Sequence, residues 1–131
     1  MKITVDTNIL VRSLVRDDRK QAAAADRILR SAEVIAVTLP CLCELVWVLL
    51  KLYGVSRHDV AAAIRTLLSV ASVQVDRQGA EAGLAVLEAG GDFADGIIAH
   101  EGGRLGGKTF VSFDRQAVKL LQAAGLTARL P

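Results

Sequence analysis

Two aspartates occupy the step from a predicted strand to a predicted helix. Asp6 directly follows the β-branched run at residues 3–5, and Asp114 directly follows a second such run at residues 109–113. In open parallel sheets, reacting groups gather at the carboxyl ends of the strands, so both positions are candidates for chemistry. Taken alone, each aspartate is better explained as a helix N-cap, a role that this residue type fills well.

Three further acids strengthen the case for a shared site. Glu44 lies one turn into the most apolar helical segment of the chain, where a carboxylate is costly unless it is paired or exposed. Asp92 and Asp95 are three positions apart, which places both on one side of a predicted helix. Capping accounts for Asp92, which follows two glycines, more readily than for Asp95.

If these acids converge, they require a cation. Two carboxylates about 4 Å apart repel each other by roughly 4 kcal/mol at an effective dielectric constant near 20. A cluster must therefore take up protons or hold a metal ion. Oxygen ligands without thiolate or imidazole select hard ions such as Mg²⁺ or Mn²⁺. Such an ion lowers the pKa of its bound water and holds phosphoryl oxygens during in-line displacement.

Short β-branched runs alternate with longer helical segments along the chain. We predict strands at residues 3–5, 34–37, 70–75, 109–113 and near 127–130. We predict helices at residues 7–15, 21–30, 39–53, 56–68, 79–89, 93–101 and 114–123. Strands that alternate with helices indicate a mostly parallel sheet covered on both faces. We therefore expect an α/β protein of the three-layer α/β/α sandwich class, forming a single domain over residues 1–131.

Composition excludes several classes of protein. The 131 residues are 52% hydrophobic and 23% charged with a formal net charge of +2, which fits a globular domain and excludes a disordered chain. Two cysteines are too few for a disulfide framework, and five aromatic residues argue against the base-stacking platforms of single-strand binders. No apolar leader precedes Asp6, and Pro40 and Glu44 interrupt the most apolar stretch. We expect a cytoplasmic protein without a membrane span.

The order and spacing of these motifs resemble the PIN-domain ribonucleases, and more closely the VapC-type toxins of prokaryotic toxin–antitoxin pairs. The resemblance covers essentially the whole chain. The residues that carry it are Asp6-Thr7-Asn8-Ile9-Leu10, Glu44, Asp92-Phe93-Ala94-Asp95-Gly96-Ile97-Ile98-Ala99 and Phe113-Asp114-Arg115.

The resemblance implies an endoribonuclease that cleaves RNA with Mg²⁺ or Mn²⁺. The acids that it makes catalytic and metal-binding are Asp6, Glu44, Asp95 and Asp114. It leaves open whether Asp92, a frequent extra acid, contacts the metal directly.

Supporting roles follow for residues beside these acids. The hydroxyls of Thr7 and Ser112 match positions that orient an acid or a metal-bound water, and Asn8 matches one that ties down the loop before the first helix. Arg115 is the first candidate for a phosphate contact, and Lys108 and Arg104 are weaker candidates. A position on the solvated surface without a function accounts for each of the three slightly better.

The resemblance also implies partners, namely a second copy of the chain in a homodimer and a small VapB-like antitoxin whose tail covers the acids. The apolar helical segment around Leu45, Trp47, Val48 and Leu50 is a place for an antitoxin helix to dock. Burial of the same residues in the core explains the segment equally well.

Two alternatives come from other classes of protein. Residues Gly102–Thr109 match the phosphate-loop pattern G-x-x-x-x-G-K-[ST] letter for letter, which would indicate a nucleotide-binding domain. That loop must follow a strand and begin a helix, whereas the predicted order here is the reverse. A non-catalytic acidic-pocket signalling domain fits poorly, because the chain has a single early aspartate and Lys108 precedes its strand.

Two further alternatives use histidine or cysteine. A metal-free ribonuclease would need His58 and His100 as general acid and base, but both positions fit structural roles at helix ends. Cys41-x-Cys43 matches no common zinc-site spacing.

Overall fold

The computed structural model describes residues 1–131 as helices and short strands divided between two units, Met1–Asp76 and Arg77–Pro131. The elements of the first unit are β1 (Lys2–Thr4), α1 (Thr7–Val15), α2 (Arg19–Ser31), β2 (Val34–Ala36), α3 (Leu39–Lys51), α4 (Arg57–Ser69) and β3 (Val73–Gln74). Those of the second unit are α5 (Arg77–Glu88), α6 (Phe93–Arg104), β4 (Phe110–Val111), α7 (Arg115–Ala123) and β5 (Ala128–Arg129). None of the helices is both long and apolar enough to cross a membrane.

The first unit is built on a three-stranded parallel sheet in the order β1-β2-β3. Ile35 of β2 lies at its centre, in register with Ile3 of β1 and Val73 of β3. Because the strands are parallel and adjacent, their carboxyl ends lie at the same edge of the sheet. Asp6 follows β1 at that edge, and α3 begins there after β2, so the fold brings Asp6 and the first turns of α3 together.

Helix α3 separates a buried face from an exposed one. The Thr38 hydroxyl caps it by accepting a hydrogen bond from the Cys41 backbone N–H at 3.2 Å, and Pro40 occupies the first turn, where its missing N–H costs nothing. Leu42 and Leu45 are fully buried, whereas Glu44 and Trp47 are exposed. The helix is therefore amphipathic, rather than apolar nearly all round as its composition indicates.

The second unit contains the parallel pair β4 and β5, in which Phe110 is in register with Ala128. Helix α7 connects the two strands, and its Val118 and Leu121 pack with Val86 of α5 and Ala128 in a common core. The sequence predicts this helix-rich α/β fold with parallel strands, and the structure confirms it. The three-layer arrangement and the single domain stay predictions.

Two glycines let α5 and α6 pack unusually close together. A Cβ atom added to Gly83 would lie 2.7 Å from the ring of Phe93, and one added to Gly96 would lie 2.9 Å from the Gly83 Cα atom. Only glycine permits such an approach of one helix backbone to the other. The contact fixes the position of the start of α6, where Asp92 is the N-cap and Asp95 lies in the first turn.

Some strand boundaries differ from the predicted ones. The third strand is confined to Val73–Gln74 instead of residues 70–75, because Val70 caps α4 through a hydrogen bond from its N–H to the Leu67 carbonyl oxygen. The fourth strand is Phe110–Val111 rather than residues 109–113. Helix α6 continues to Arg104, beyond the predicted end at residue 101.

Candidate active site

Asp6 is the N-cap of α1. Its Oδ1 atom accepts a hydrogen bond from the Thr7 backbone N–H at 2.7 Å, and the side chain is exposed. An ionised carboxylate has about four lone-pair sites, so the cap leaves acceptor capacity for a second partner. The capping and ligand interpretations of Asp6 are therefore compatible.

Thr7 connects α1 to α3. The residue is only 5% exposed, and its hydroxyl donates a hydrogen bond to Glu44 Oε1. Glu44 itself is exposed, so its carboxylate avoids the cost of burial in the apolar part of α3. The resemblance implies that the Thr7 hydroxyl orients an acid, and the structure identifies Glu44 as the acid it contacts.

Cys41 extends this contact into the protein interior. Its Sγ atom lies 3.7 Å from the Thr7 hydroxyl oxygen. Burial raises the pKa of the Cys41 thiol, and the charges of Asp6 and Glu44 raise it further, against the opposing effect of the Thr7 hydrogen bond. The thiol is buried, and the raised pKa favours its protonated form.

Asp6, Thr7 and Glu44 line a single cavity of about 450 Å³ in the first unit. The remaining lining residues are Asn8, Val11, Arg12, Trp47, Val48, Leu52 and Tyr53. Asn8 is exposed in the first turn of α1, and its predicted role in holding the preceding loop stays a prediction.

The second unit brings three acids into electrostatic reach of one another. Asp92 caps α6 by accepting from the Ala94 N–H at 3.0 Å, and Asp114 caps α7 by accepting from the Ala117 N–H at 3.1 Å. Asp95 lies in the first turn of α6 and is half-buried. Burial raises the pKa of Asp95, and the negative charges of Asp92 and Asp114 raise it further.

Ser112 and Arg115 flank Asp114 as the sequence indicates. The Ser112 hydroxyl accepts a hydrogen bond from the Asp114 backbone N–H at 3.0 Å, so it fixes the backbone that carries the acid. Arg115 is exposed and lines a cavity of about 310 Å³ together with Lys119 and Arg129. These three side chains form a basic patch, and of the three only Arg115 is a candidate phosphate contact from the sequence.

The donor chemistry of these residues fits a hard divalent ion, because carboxylate and hydroxyl oxygens are the ligands that Mg²⁺ and Mn²⁺ prefer. A bound cation would also reduce the repulsion that Asp95 experiences from Asp92 and Asp114. The structure nevertheless shows no group of three or more His, Cys, Asp or Glu side chains that could hold a metal ion. The ligand set Asp6, Glu44, Asp95 and Asp114 therefore stays a prediction.

Residues Gly102–Thr109 do not have the geometry of a phosphate loop. They leave the last turn of α6 and lead into β4, so no helix N-terminus follows the glycines. A phosphate loop needs that N-terminus, because its amide dipoles must point at the phosphates. The structure thus removes the nucleotide-binding alternative.

The proposed docking segment on α3 needs correction. Leu45 is fully buried in the core and is unavailable to a partner, and Val48 and Leu50 are only partly exposed. Trp47 is the one member that is clearly exposed. Its position three residues after Glu44 signals a shared helix face, and this is the feature that could have identified it from the sequence.

Comparison with known proteins identifies the family of the chain. The profile of the PIN domain family matches residues 3–122, which is most of the chain. No curated protein matches the chain significantly. The chain belongs to the PIN domain family, whose members are generally metal-dependent nucleases.

Proposed function

We propose that this protein is an endoribonuclease that hydrolyses RNA phosphodiester bonds with Mg²⁺ or Mn²⁺, and that it acts as the toxin of a toxin–antitoxin pair in the cytoplasm. The observation that carries the proposal is the hydrogen bond from Thr7 to Glu44, which holds an exposed acid beside the exposed Asp6. Asp6 could cap α1 without any hydrogen bond between Thr7 and Glu44. Family membership supplies the reaction class.

In each unit, a hydroxyl side chain positions one of the candidate acids. In the first unit, Asp6 and Glu44 would bind the metal, and Thr7 restricts Glu44 to one orientation. In the second unit, Asp95 and Asp114 are the other acids to which the resemblance gives a metal-binding role, and the Ser112 hydroxyl holds the backbone of Asp114. When bound, the ion would supply an activated water and stabilise charge on the phosphoryl oxygens. Hydrolysis would break the bond from phosphorus to O3′ and leave a 3′-hydroxyl and a 5′-phosphate.

The substrate proposal also depends on charge. Arg115, Lys119 and Arg129 form a basic patch in the second unit, and such patches bind the phosphates of nucleic acids. Single-stranded RNA is the favoured class, because its bases are accessible in loops and ends.

The toxin role and the partners rest on the VapC-like motifs. We propose a homodimer and a small antitoxin whose basic side chain covers the acids. The exposure of Asp6, Glu44 and Asp114 supports this, because a partner can reach them. Co-expression of the chain with the short reading frame beside its gene tests the pairing, since a cognate antitoxin co-purifies and abolishes RNA cleavage.

The test of the activity is cleavage of single-stranded RNA with Mg²⁺, with Mn²⁺ or with EDTA. We expect cleavage with either metal and none with EDTA. Asp6→Asn and Asp95→Asn should fold normally and cleave no RNA, whereas the matched control Asp59→Asn should cleave like the wild type, because Asp59 is an exposed acid in the first turn of α4. Cleavage that is unchanged by EDTA, or that survives in Asp95→Asn, would overturn the proposal.

A further inference from the structure

The cavity that contains Asp6 and Glu44 also carries two of the five aromatic residues of the chain. Trp47 is 55% exposed and Tyr53 is 37% exposed, and both line it. Exposure of a tryptophan is unusual, because its large apolar surface normally lies inside. The catalytic chemistry proposed above uses neither residue.

Helix geometry places Trp47 beside the acid. Glu44 and Trp47 are three positions apart, and Val48 is four positions from Glu44, so all three lie on one face of α3. The cavity thus begins at Asp6 and Glu44 and continues along the helix to the aromatic side chains. A molecule whose phosphate lies at the acids therefore extends onto Trp47.

Tyr53 is held in place before any ligand binds. Its hydroxyl donates to Asp17 Oδ2 at 3.0 Å and accepts from Arg12 Nη1 at 3.4 Å. Arg12 is itself fixed, because its Nη1 atom lies 2.9 Å from Asp17 Oδ1 and its Nε donates to Gln21 Oε1 at 2.6 Å. The tyrosine ring is thus preorganised, which lowers the entropic cost of binding against it.

The charges in the cavity indicate which part of an RNA fits there. Asp6 and Glu44 are negative, and the one cation that lines the cavity, Arg12, is paired with Asp17. A phosphate placed against Trp47 and Tyr53 would meet no free positive charge. A neutral, planar base does not need a positive charge to bind there, and it can contact both aromatic rings. The volume of about 450 Å³ is within the usual range for small-ligand sites.

We propose that Trp47 and Tyr53 form a stacking site for a base of the single-stranded RNA substrate, next to the bond that is cut. This inference rests on the proposed function, because the cavity holds the acids of that reaction and its occupant during turnover is the substrate. The small number of aromatic residues argues against an extended stacking platform, but Trp47 and Tyr53 both line the cavity that contains Asp6 and Glu44.

Trp47 is the only tryptophan of the chain, so tryptophan fluorescence reports this site alone. The experiment uses the full chain with Asp95→Asn, which should bind RNA without cutting it. A random-sequence single-stranded RNA should quench the fluorescence in a saturable way. The same RNA annealed to its complement should quench it far less, because its bases are already stacked and paired.

Variants at the site separate stacking from catalysis. In the Asp95→Asn background, binding measured with end-labelled RNA should weaken about tenfold with Trp47→Ala and recover in part with Trp47→Phe, which keeps a ring to stack on. Val70→Ala is the matched control, since Val70 is an exposed apolar residue of the first unit that lines a different cavity. It should bind like the parent.

Each negative result has a defined meaning. Unquenched fluorescence at saturating RNA, or full affinity in Trp47→Ala, overturns the stacking site and leaves the nuclease proposal intact if EDTA still blocks cleavage by the wild type. Fluorescence that changes with protein concentration and not with RNA overturns it in favour of an interface between copies of the chain. Cleavage that survives in Asp95→Asn refutes the nuclease mechanism instead.

Discussion

The hydroxyl of Thr7 donates a hydrogen bond to Oε1 of Glu44, and this contact joins the first residue of α1 to the second turn of α3. Thr7 is buried while Glu44 is exposed, so the bond anchors a solvent-facing carboxylate to the interior of the protein. Without it, the glutamate would sample several rotamers. Sites that bind metals or substrates benefit from such restriction, because the ligand then meets a preformed geometry.

We expect Thr7→Val to reduce RNA cleavage roughly 10- to 100-fold, the usual range for loss of a side chain that orients a metal ligand. Valine keeps the shape of threonine and removes only the hydroxyl. The measurement is the rate of RNA cleavage against Mg²⁺ concentration, in which the half-saturating concentration should rise. Thr7→Ser keeps a hydroxyl and should recover most of the activity. Wild-type kinetics in Thr7→Val would show that the contact has no part in catalysis.

A second expectation concerns the close packing of α5 on α6. Gly96→Ala places a methyl group against the backbone of Ala82 and Gly83, where no flexible side chain can move aside. We expect it to destabilise the protein by about 1–3 kcal/mol or more. Urea unfolding followed by circular dichroism measures the effect.

Gly102→Ala is the matched control for this helix. Gly102 is also in α6, but an added Cβ meets no atom within 4 Å. This substitution should be neutral or stabilising by up to about 1 kcal/mol, because alanine favours the helix. Equal destabilisation by the two variants would contradict the packing argument.

The sequence predicts local features of this fold better than features that depend on distant residues. Helix starts are local, so Asp6 and Asp114 are identified as N-caps from the residues alone. The length of a strand depends on its neighbours in the sheet, which explains why the strand predicted at residues 109–113 is shorter in the structure. The Thr7–Glu44 contact joins residues 37 positions apart. No periodicity reveals such a contact, although the resemblance indicates the role.

Which side chains of α3 are exposed is difficult to predict from its composition. Trp47 lies in a run of apolar residues, and only its spacing from Glu44 indicates that it lies on the exposed face. The orientation is set by packing of α3 against α1 and α4, a tertiary effect. Lys119 and Arg129 join Arg115 only because α7 lies against β5. The residue types of the candidate acids are thus recognisable in the sequence, whereas the contribution of Lys119 and Arg129 to the basic patch is not.

A third expectation concerns pH. The hydrogen bond from Arg16 lowers the pKa of Asp26, and the hydrogen bond from the Ser13 hydroxyl lowers it further. A carboxyl group with a lowered pKa in the folded state stabilises the protein above its unfolded pKa of about 3.9. That stability is lost as the pH falls through the folded value. Asp26→Asn should therefore be less stable than the wild type at neutral pH, and the difference should shrink as the solution is acidified below about pH 4.

Urea unfolding at a series of pH values measures this difference. Glu33→Gln is the control, since Glu33 is a highly exposed acid whose nearest cation is the N-terminus at 3.6 Å. It should change stability little at any of these pH values. A stability difference for Asp26→Asn that stays constant down to the acid limit would show that the Arg16 contact is not responsible.

The fourth expectation tests the basic patch of Arg115, Lys119 and Arg129. If Lys119 contacts a phosphate, Lys119→Ala removes one counterion-releasing contact, and the slope of log affinity against log salt for single-stranded RNA should fall in magnitude by about 0.7. The affinity loss should be similar for RNAs of different sequence, because phosphates carry no sequence information. Trp47→Ala, by contrast, should lower affinity without changing the slope, because a stacked base releases no counterions.

Lys20→Ala on α2 is the control for total charge, since Lys20 is an exposed lysine that lines none of these cavities. If the salt dependence of RNA affinity is unchanged in Lys119→Ala, or changes equally in Lys20→Ala, the RNA phosphates do not contact the basic patch.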